Sequence, residues 1–143
     1  MRKKPIEFPE MPNYKPVPGN PDLIELEEDY AGPDIDGKQT IVKTGFKCDG
    51  GSIPRVCWPF IFHPFEVPFI AAAVIHDGDY RIKAHKRVTC DKRLYKACRL
   101  LKIGQCKSWL IYKAVRIMGR WPWKRYTDAV IANAKKFVSC LDA

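Results

Sequence analysis

His76, Asp77 and Tyr80 fall in an apolar run, Ala71 to Tyr80, at spacings that could do chemistry. On a helix, positions four apart share a face, so His76 and Tyr80 stand one turn apart; Asp77 lies about 100° round from His76. Histidine is the side chain whose unperturbed pKa lies near neutrality. Beside a carboxylate on the buried side of a helix, it can serve as a general base or bind a metal. The run is shorter than the roughly twenty apolar residues a membrane span requires. A soluble core is therefore expected to position these groups.

A second carboxylate follows. Asp91 lies two residues after Thr89, in the first turn of the next expected helix. A connection of about seven residues, 83–89, lets the two helices pack antiparallel and brings Asp91 back towards His76 or Tyr80. A carboxylate bonded to one imidazole nitrogen fixes the tautomer and orients the ring, so that the other nitrogen can take a proton from water. Asp77 could hold a hard cation, with oxygens from the glycine-rich loop Cys48-Asp49-Gly50-Gly51-Ser52. The same residues also fit a non-catalytic reading, a buried polar network that locks two helices and a loop together.

The elements around these residues follow from pattern and punctuation. Residues 1–22 hold Pro5, Pro9, Pro12, Pro16, Pro18 and Pro21, which predicts an extended arm with little secondary structure of its own. It could drape over the domain of residues 23–143 or reach a neighbouring subunit. Leu23–Glu27 and Gln39–Lys43 read as strands, and Gly32–Gly37 supplies turn chemistry, so a hairpin is expected. Trp58–Phe65 is aromatic and broken by prolines. It reads as a buried wall in preference to an exposed apolar surface. Four helices are expected, over 67–82, 90–102 with Thr89 as cap, 105–118 ended by Gly119, and 122–141. The expected fold is α+β and mainly helical, a small N-terminal hairpin packed on a three- to four-helix bundle.

The bulk properties bound the function class. The chain has 143 residues, 46% hydrophobic and 29% charged, which fits one globular domain. Met1-Arg2-Lys3-Lys4 is followed by Pro5, Glu7 and Pro9, not by the apolar stretch of a secretion signal, so a cytoplasmic protein is expected. The six cysteines contain no Cys-x-x-Cys; Cys90, Cys98 and Cys106 recur every eight residues. Buried apolar thiols are expected over a zinc site. Charge is uneven. Residues 81–125 carry 15 Lys and Arg against the single acid Asp91, a net +14 in a chain of net +9. That asymmetry points to an anionic partner (nucleic acid, a phospholipid surface or an acidic protein), or else to solvated helix faces. It also predicts that Asp91 is ion-paired or has a specific task.

Two resemblances rest on quoted residues. Gly45-Phe46-x-x-Asp49-Gly50-x-Ser52-Ile53-Pro54-Arg55, then Ala72-Ala73-Val74-Ile75-His76-Asp77-x-x-Tyr80, then Asp91, then Tyr112-x-Ala114-Val115-Arg116-x-x-Gly119 run in order. The series resembles the phage-encoded domain of unknown function 1353 family, with Cys48 where that family more often has Thr. It implies a bacteriophage or prophage origin and no settled activity. His76-Asp77-x-x-Tyr80 with a later Asp91 is also similar to secreted phospholipases of the A-two class and their parvovirus relatives. That resemblance implies His76 as base, Asp77 as calcium ligand, and Tyr80 and Asp91 as supports of the histidine; the 48–52 stretch departs from the calcium loop of those enzymes, and Asp49 is a metal-ligand candidate from the glycine-rich loop itself.

Two functions are carried forward. One is a metal-assisted, phospholipase-like hydrolase that uses calcium or another divalent cation at anionic membranes. The other is a non-catalytic virion or accessory protein whose basic helices meet DNA, membrane or an acidic virion subunit. Its expected place is the host cytoplasm, with incorporation into the phage particle.

Overall fold

The computed structural model describes residues 11–48 and 68–142. Eleven elements are described there: β1 (Tyr14–Val17), β2 (Asn20–Leu26), β3 (Tyr30–Ala31), β4 (Lys38–Val42), β5 (Lys47–Cys48), α1 (Phe69–Ile82), α2 (Arg87–Leu100), α3 (Gln105–Met118), α4 (Arg120–Arg125), α5 (Asp128–Ala134) and β6 (Val138–Asp142).

α1 is the axis of the structure. Every residue of it except Arg81 is buried. Its first half, Phe69–Ile75, is apolar on all sides, and such a stretch must be surrounded. The helix packs on α2, on α5, and on strands of both sheets. Phe69, Ala72 and Ala73 meet Leu94, Ala97 and Cys98 of α2 in one core cluster, while Ile70, Ala71, Val74 and Ile75 face Leu26, Val42, Phe46 and Val138 in the other. Each large side chain so buried contributes about 1.5–3 kcal/mol. At Gly78 an added Cβ would lie 3.1 Å from Val138, so the missing side chain lets β4 and β6 close onto the helix.

The expected single hairpin on a helix bundle is corrected to an α+β fold with two three-stranded sheets, ordered β1-β2-β5 and β3-β4-β6. The two strands expected to pair, β2 and β4, lie in different sheets. β2 pairs with β1, Tyr14 opposite Leu26 and Lys15 opposite Glu25. Part of the proline-rich arm is therefore a strand. Pro16 is tolerated because β1 is an edge, and Gly19 takes a φ of 79° at the turn.

The expected terminal helix over 122–141 is also corrected. The chain runs through α4, turns at Tyr126-Thr127, forms α5, and enters β6, the last described element. Ser139 and Cys140 pair with Ile41 and Thr40 of β4. Pairing with β4 overrides the helical spacing of Val130, Phe137 and Leu141. The second helix begins at Arg87 with Lys86 at its cap, earlier than expected, so Thr89 lies inside it. The Asp49 loop and Trp58–Phe65 lie outside the described residues.

Candidate functional site

The short link after α1 sets the site. Lys83 takes a left-handed φ of 46°, which stops α1 and sends the chain back as α2. Asp91 then returns beside the last turns of α1. Its Oδ1 lies 3.0 Å from His76 Nε2 and accepts a 2.5 Å hydrogen bond from Tyr80 Oη. The His76 and Tyr80 rings sit 4.3 Å apart, centre to centre. An ionised carboxylate only accepts, so His76 carries its proton on Nε2. In the neutral ring, Nδ1 is then the nitrogen with a lone pair to offer. His76, Tyr80 and Asp91 are each 2% exposed or less.

Two arginines hold the other oxygen of Asp91. Arg116 Nη1 donates to Oδ2 at 2.9 Å, and Arg87 Nη1 stands at 3.5 Å while also donating to the Val115 carbonyl. Burial pushes the Asp91 carboxyl up, but the hydrogen bonds of His76, Tyr80 and Arg116 outweigh it, and its pKa lies below the usual carboxylate value. Burial and then the Asp91 hydrogen bond push the Tyr80 phenol far above its usual value, so it stays a donor. Trp123 of α4 packs edge-on against Tyr80 at 5.1 Å, and Gly119 leaves room for the Tyr80 hydroxyl, which would lie 2.5 Å from an added Cβ.

A second network forms around Asp79, the next acid of α1, which is also met by α2. Arg93 Nε donates to Asp79 Oδ2 at 3.1 Å, its Nη1 to the Ile35 carbonyl, and its Nη2 to Thr40 Oγ1. Thr40 in turn donates to Asp79 Oδ1 at 2.6 Å. This network ties α1 and α2 to β4. Asp79, His85 and Cys140 form the one group of three metal-ligating types gathered among the described residues. Asp79 is already committed to Arg93 and Thr40. Cys90, Cys98 and Cys106 do not converge; Cys90 and Cys98 are buried free thiols and Cys106 is exposed.

The sequence-based expectations divide accordingly. His76, Tyr80 and Asp91 are brought together as expected from spacing. Asp77 is buried, and its Oδ2 lies 3.3 Å from Arg81 Nη2. Arg81 thus neutralises Asp77, and among the described residues Asp77 belongs to no gathered group of three metal-ligating side chains. Asp49 lies outside the described residues. Sequence reasoning placed no role on Arg87, Arg93, Thr40 or Trp123, and quoted Arg116 only within the family series. The signal for two of them was present: Arg87 stands four residues before Asp91, on the same helix face, and Arg116 belongs to that series.

Two uncharacterized proteins of Sinorhizobium fredii are similar to the chain. Protein y4jT is 33% identical over 97 residues, and y4iH is 31% identical over 108 residues. Those stretches cover 68% and 73% of this chain, but only 29% and 44% of the relatives, so the chain spans under half of either. No solved structure matches it. The matched family series holds the whole His76–Tyr80–Asp91 arrangement, since the model of the family described as protein of unknown function, DUF1353, covers residues 24–115, and the chain belongs to that family.

Proposed function

We propose that the chain is a hydrolase in which His76 is the general base and a phospholipid ester is the substrate. The observation that carries this reading is the shared Asp91 oxygen, 3.0 Å from His76 Nε2 and 2.5 Å from the Tyr80 hydroxyl. Asp91 and Tyr80 fix the ring, and His76 Nδ1 takes a proton from water as the water oxygen attacks the ester carbonyl. The same proton then passes to the departing alcohol oxygen, so ester and water give acid and alcohol. No step is routed through a metal, because Asp77 is matched by Arg81. The resemblance to phospholipases of the A-two class supports the substrate class, and the family series supports a bacteriophage or prophage origin.

The test is release of fatty acid from phosphatidylglycerol vesicles, with and without added calcium. Wild-type protein is expected to release it and His76→Asn is not. Equal release by both, or none by wild type in either condition, removes the reading.

A specific observation favours a second reading. His76 is 2% exposed, and Asp91 is held by Arg87 of α2 and Arg116 of α3 as well as by α1. In that reading the site is a polar lock joining three helices in a virion or accessory protein. His76→Asn then lowers the melting temperature, and no hydrolysis is found to lose.

A further inference from the structure

The outer side of α3 is apolar where solvent should meet it. Ser108, Ile111 and Val115 turn inward to the core. Trp109, Leu110 and Ile117 turn outward, with Ile117 62% exposed and the other two 51% each. These outward positions, with Lys113 among them, fall within an arc of about 100° on the helix. Trp121, the second residue of α4 and four positions after Ile117, is 49% exposed. Core packing does not require such a second apolar face, and a contiguous one marks a contact surface.

The segment that carries it, residues 81–125, has solvent-facing charge of one sign. Residues 81–125 hold 15 Lys and Arg, and the only acid there, Asp91, is fully buried. The segment therefore presents cations to solvent and no carboxylate. Lys113 Nζ lies 5.4 Å from the centre of the Trp109 ring, and the Arg120 guanidinium lies 4.6 Å from that of Trp121. Each exposed indole thus has a cation at its face.

We propose that this face of α3, continued by Trp121, docks on an anionic phospholipid bilayer. Trp109, Leu110, Ile117 and Trp121 enter the boundary between headgroups and acyl chains, and Lys113, Arg120 and their neighbours meet the phosphates. The aliphatic side chains choose the occupant. A single-stranded nucleic acid would use the indoles for stacking but gains nothing from Leu110 and Ile117. A bilayer uses both. No described helix is long and apolar enough to cross a membrane, and the proposed contact is interfacial. The two helices that carry the face also reach the candidate site: Arg116 on α3 holds Asp91, and Trp123 on α4 packs on Tyr80. The inference shares with the hydrolase reading only its lipid class, since docking is measured without turnover.

The full chain is mixed with phosphatidylcholine vesicles, with and without phosphatidylglycerol, and co-sedimentation and tryptophan emission are followed. Wild type is expected to bind the anionic vesicles at least roughly tenfold more tightly than the neutral ones, with a blue-shifted emission and weaker binding at high salt. The double variant Leu110→Asp, Ile117→Asp is expected to lose at least roughly tenfold in affinity while keeping the circular dichroism of wild type, because both side chains are solvent-facing. Undiminished binding by the folded double variant overturns the proposal. So does the absence of a preference for anionic vesicles, or tighter binding to a single-stranded oligonucleotide than to the vesicles. If the double variant does not fold, Leu110→Gln with Ile117→Gln gives the same reading. Vesicle binding without fatty-acid release would leave the docking face in place and remove the hydrolase reading.

Discussion

His76 Nε2 lies 3.0 Å from Oδ1 of Asp91, fifteen residues further along the chain and fully buried. Three sets of donors converge on that carboxylate: the ring of His76, the hydroxyl of Tyr80, and the guanidinium groups of Arg116 and Arg87. Asp91→Asn removes the negative charge and leaves two arginines facing a neutral amide. Breaking a buried pair in this way costs about 3–5 kcal/mol. Urea unfolding of Asp91→Asn is expected to show a loss in that range. On the hydrolase reading, release by the fraction still folded falls at least roughly a thousandfold, because the histidine tautomer is no longer fixed.

The pH dependence has a definite sign. The Asp91 carboxyl lies below its usual value in the folded chain. A group depressed on folding contributes stability that is fully present above the unfolded pKa of about 3.9, and this is lost as pH falls through the folded value. Stability of wild type is therefore expected to fall as pH drops below about 4. Asp91→Asn lacks that contribution, so the stability gap between the two proteins should narrow with acidification. Urea denaturation at a series of acidic pH values measures it. A gap that stays constant would assign the acid sensitivity to other carboxylates.

The second buried pair gives a separate prediction. Arg93 is 3% exposed and has Asp79, Thr40 and the Ile35 carbonyl around it. Arg93→Met leaves the Asp79 carboxylate in the core with only Thr40 donating to it. A destabilisation of about 3–5 kcal/mol is expected, and Arg93→Met with Asp79→Asn should recover part of it. A double-mutant cycle in urea checks the coupling. Full additivity would mean that the two side chains do not support one another.

What could be read in advance was local. The spacing of His76 and Tyr80 and the short link to α2 are enough to bring Asp91 to the site, because helices impose a fixed period on nearby residues. Gly104 and Gly119 bracket α3 for the same reason. Pairing between distant strands has no such local mark. Cys140 reaches Thr40 across a hundred residues, and Tyr14 reaches Leu26 from within a proline-rich stretch. Which strand each one meets is decided by tertiary packing, and that is a property of the folded chain. Arg87 and Arg116 are intermediate cases: a lone acid in a basic segment needs cations, but the sequence offers fifteen of them. Only the packing of α2 and α3 selects these two.

Thiol reactivity should separate the cysteines of the helices. Burial pushes the Cys98 thiol up to about 12, and Cys90 is raised still further by burial and by the neighbouring Asp79 and Asp91 charges. The thiolate is the reactive form, so both should react with an aromatic disulfide reagent only as fast as the chain unfolds. Cys106 at the start of α3 is exposed. Cys106→Ser is expected to remove one equivalent from the fast phase, and Cys98→Ser none. Loss of a fast equivalent in Cys98→Ser would mean that the α1–α2 core opens readily.

Gly119 joins α3 to α4 directly above Tyr80. A Cβ added there would lie 2.4 Å from the Val115 carbonyl oxygen and 2.5 Å from the Tyr80 hydroxyl. The carbonyl is backbone, and Tyr80 is held by its bond to Asp91, so neither can move away freely. The φ of Gly119 is −68°, a value open to any residue, so the cost of Gly119→Ala comes from space and not from backbone conformation. Overpacking of this kind costs about 1–3 kcal/mol. A fall in melting temperature is expected, together with a change in the near-ultraviolet signal of Tyr80 and Trp123. Gly119→Ala with Tyr80→Phe removes one of the two clashing atoms and should be less destabilised than the two single changes added together. If the changes simply add, α4 does not press on the site, and its packing through Trp123 is incidental to the His76–Asp91 geometry.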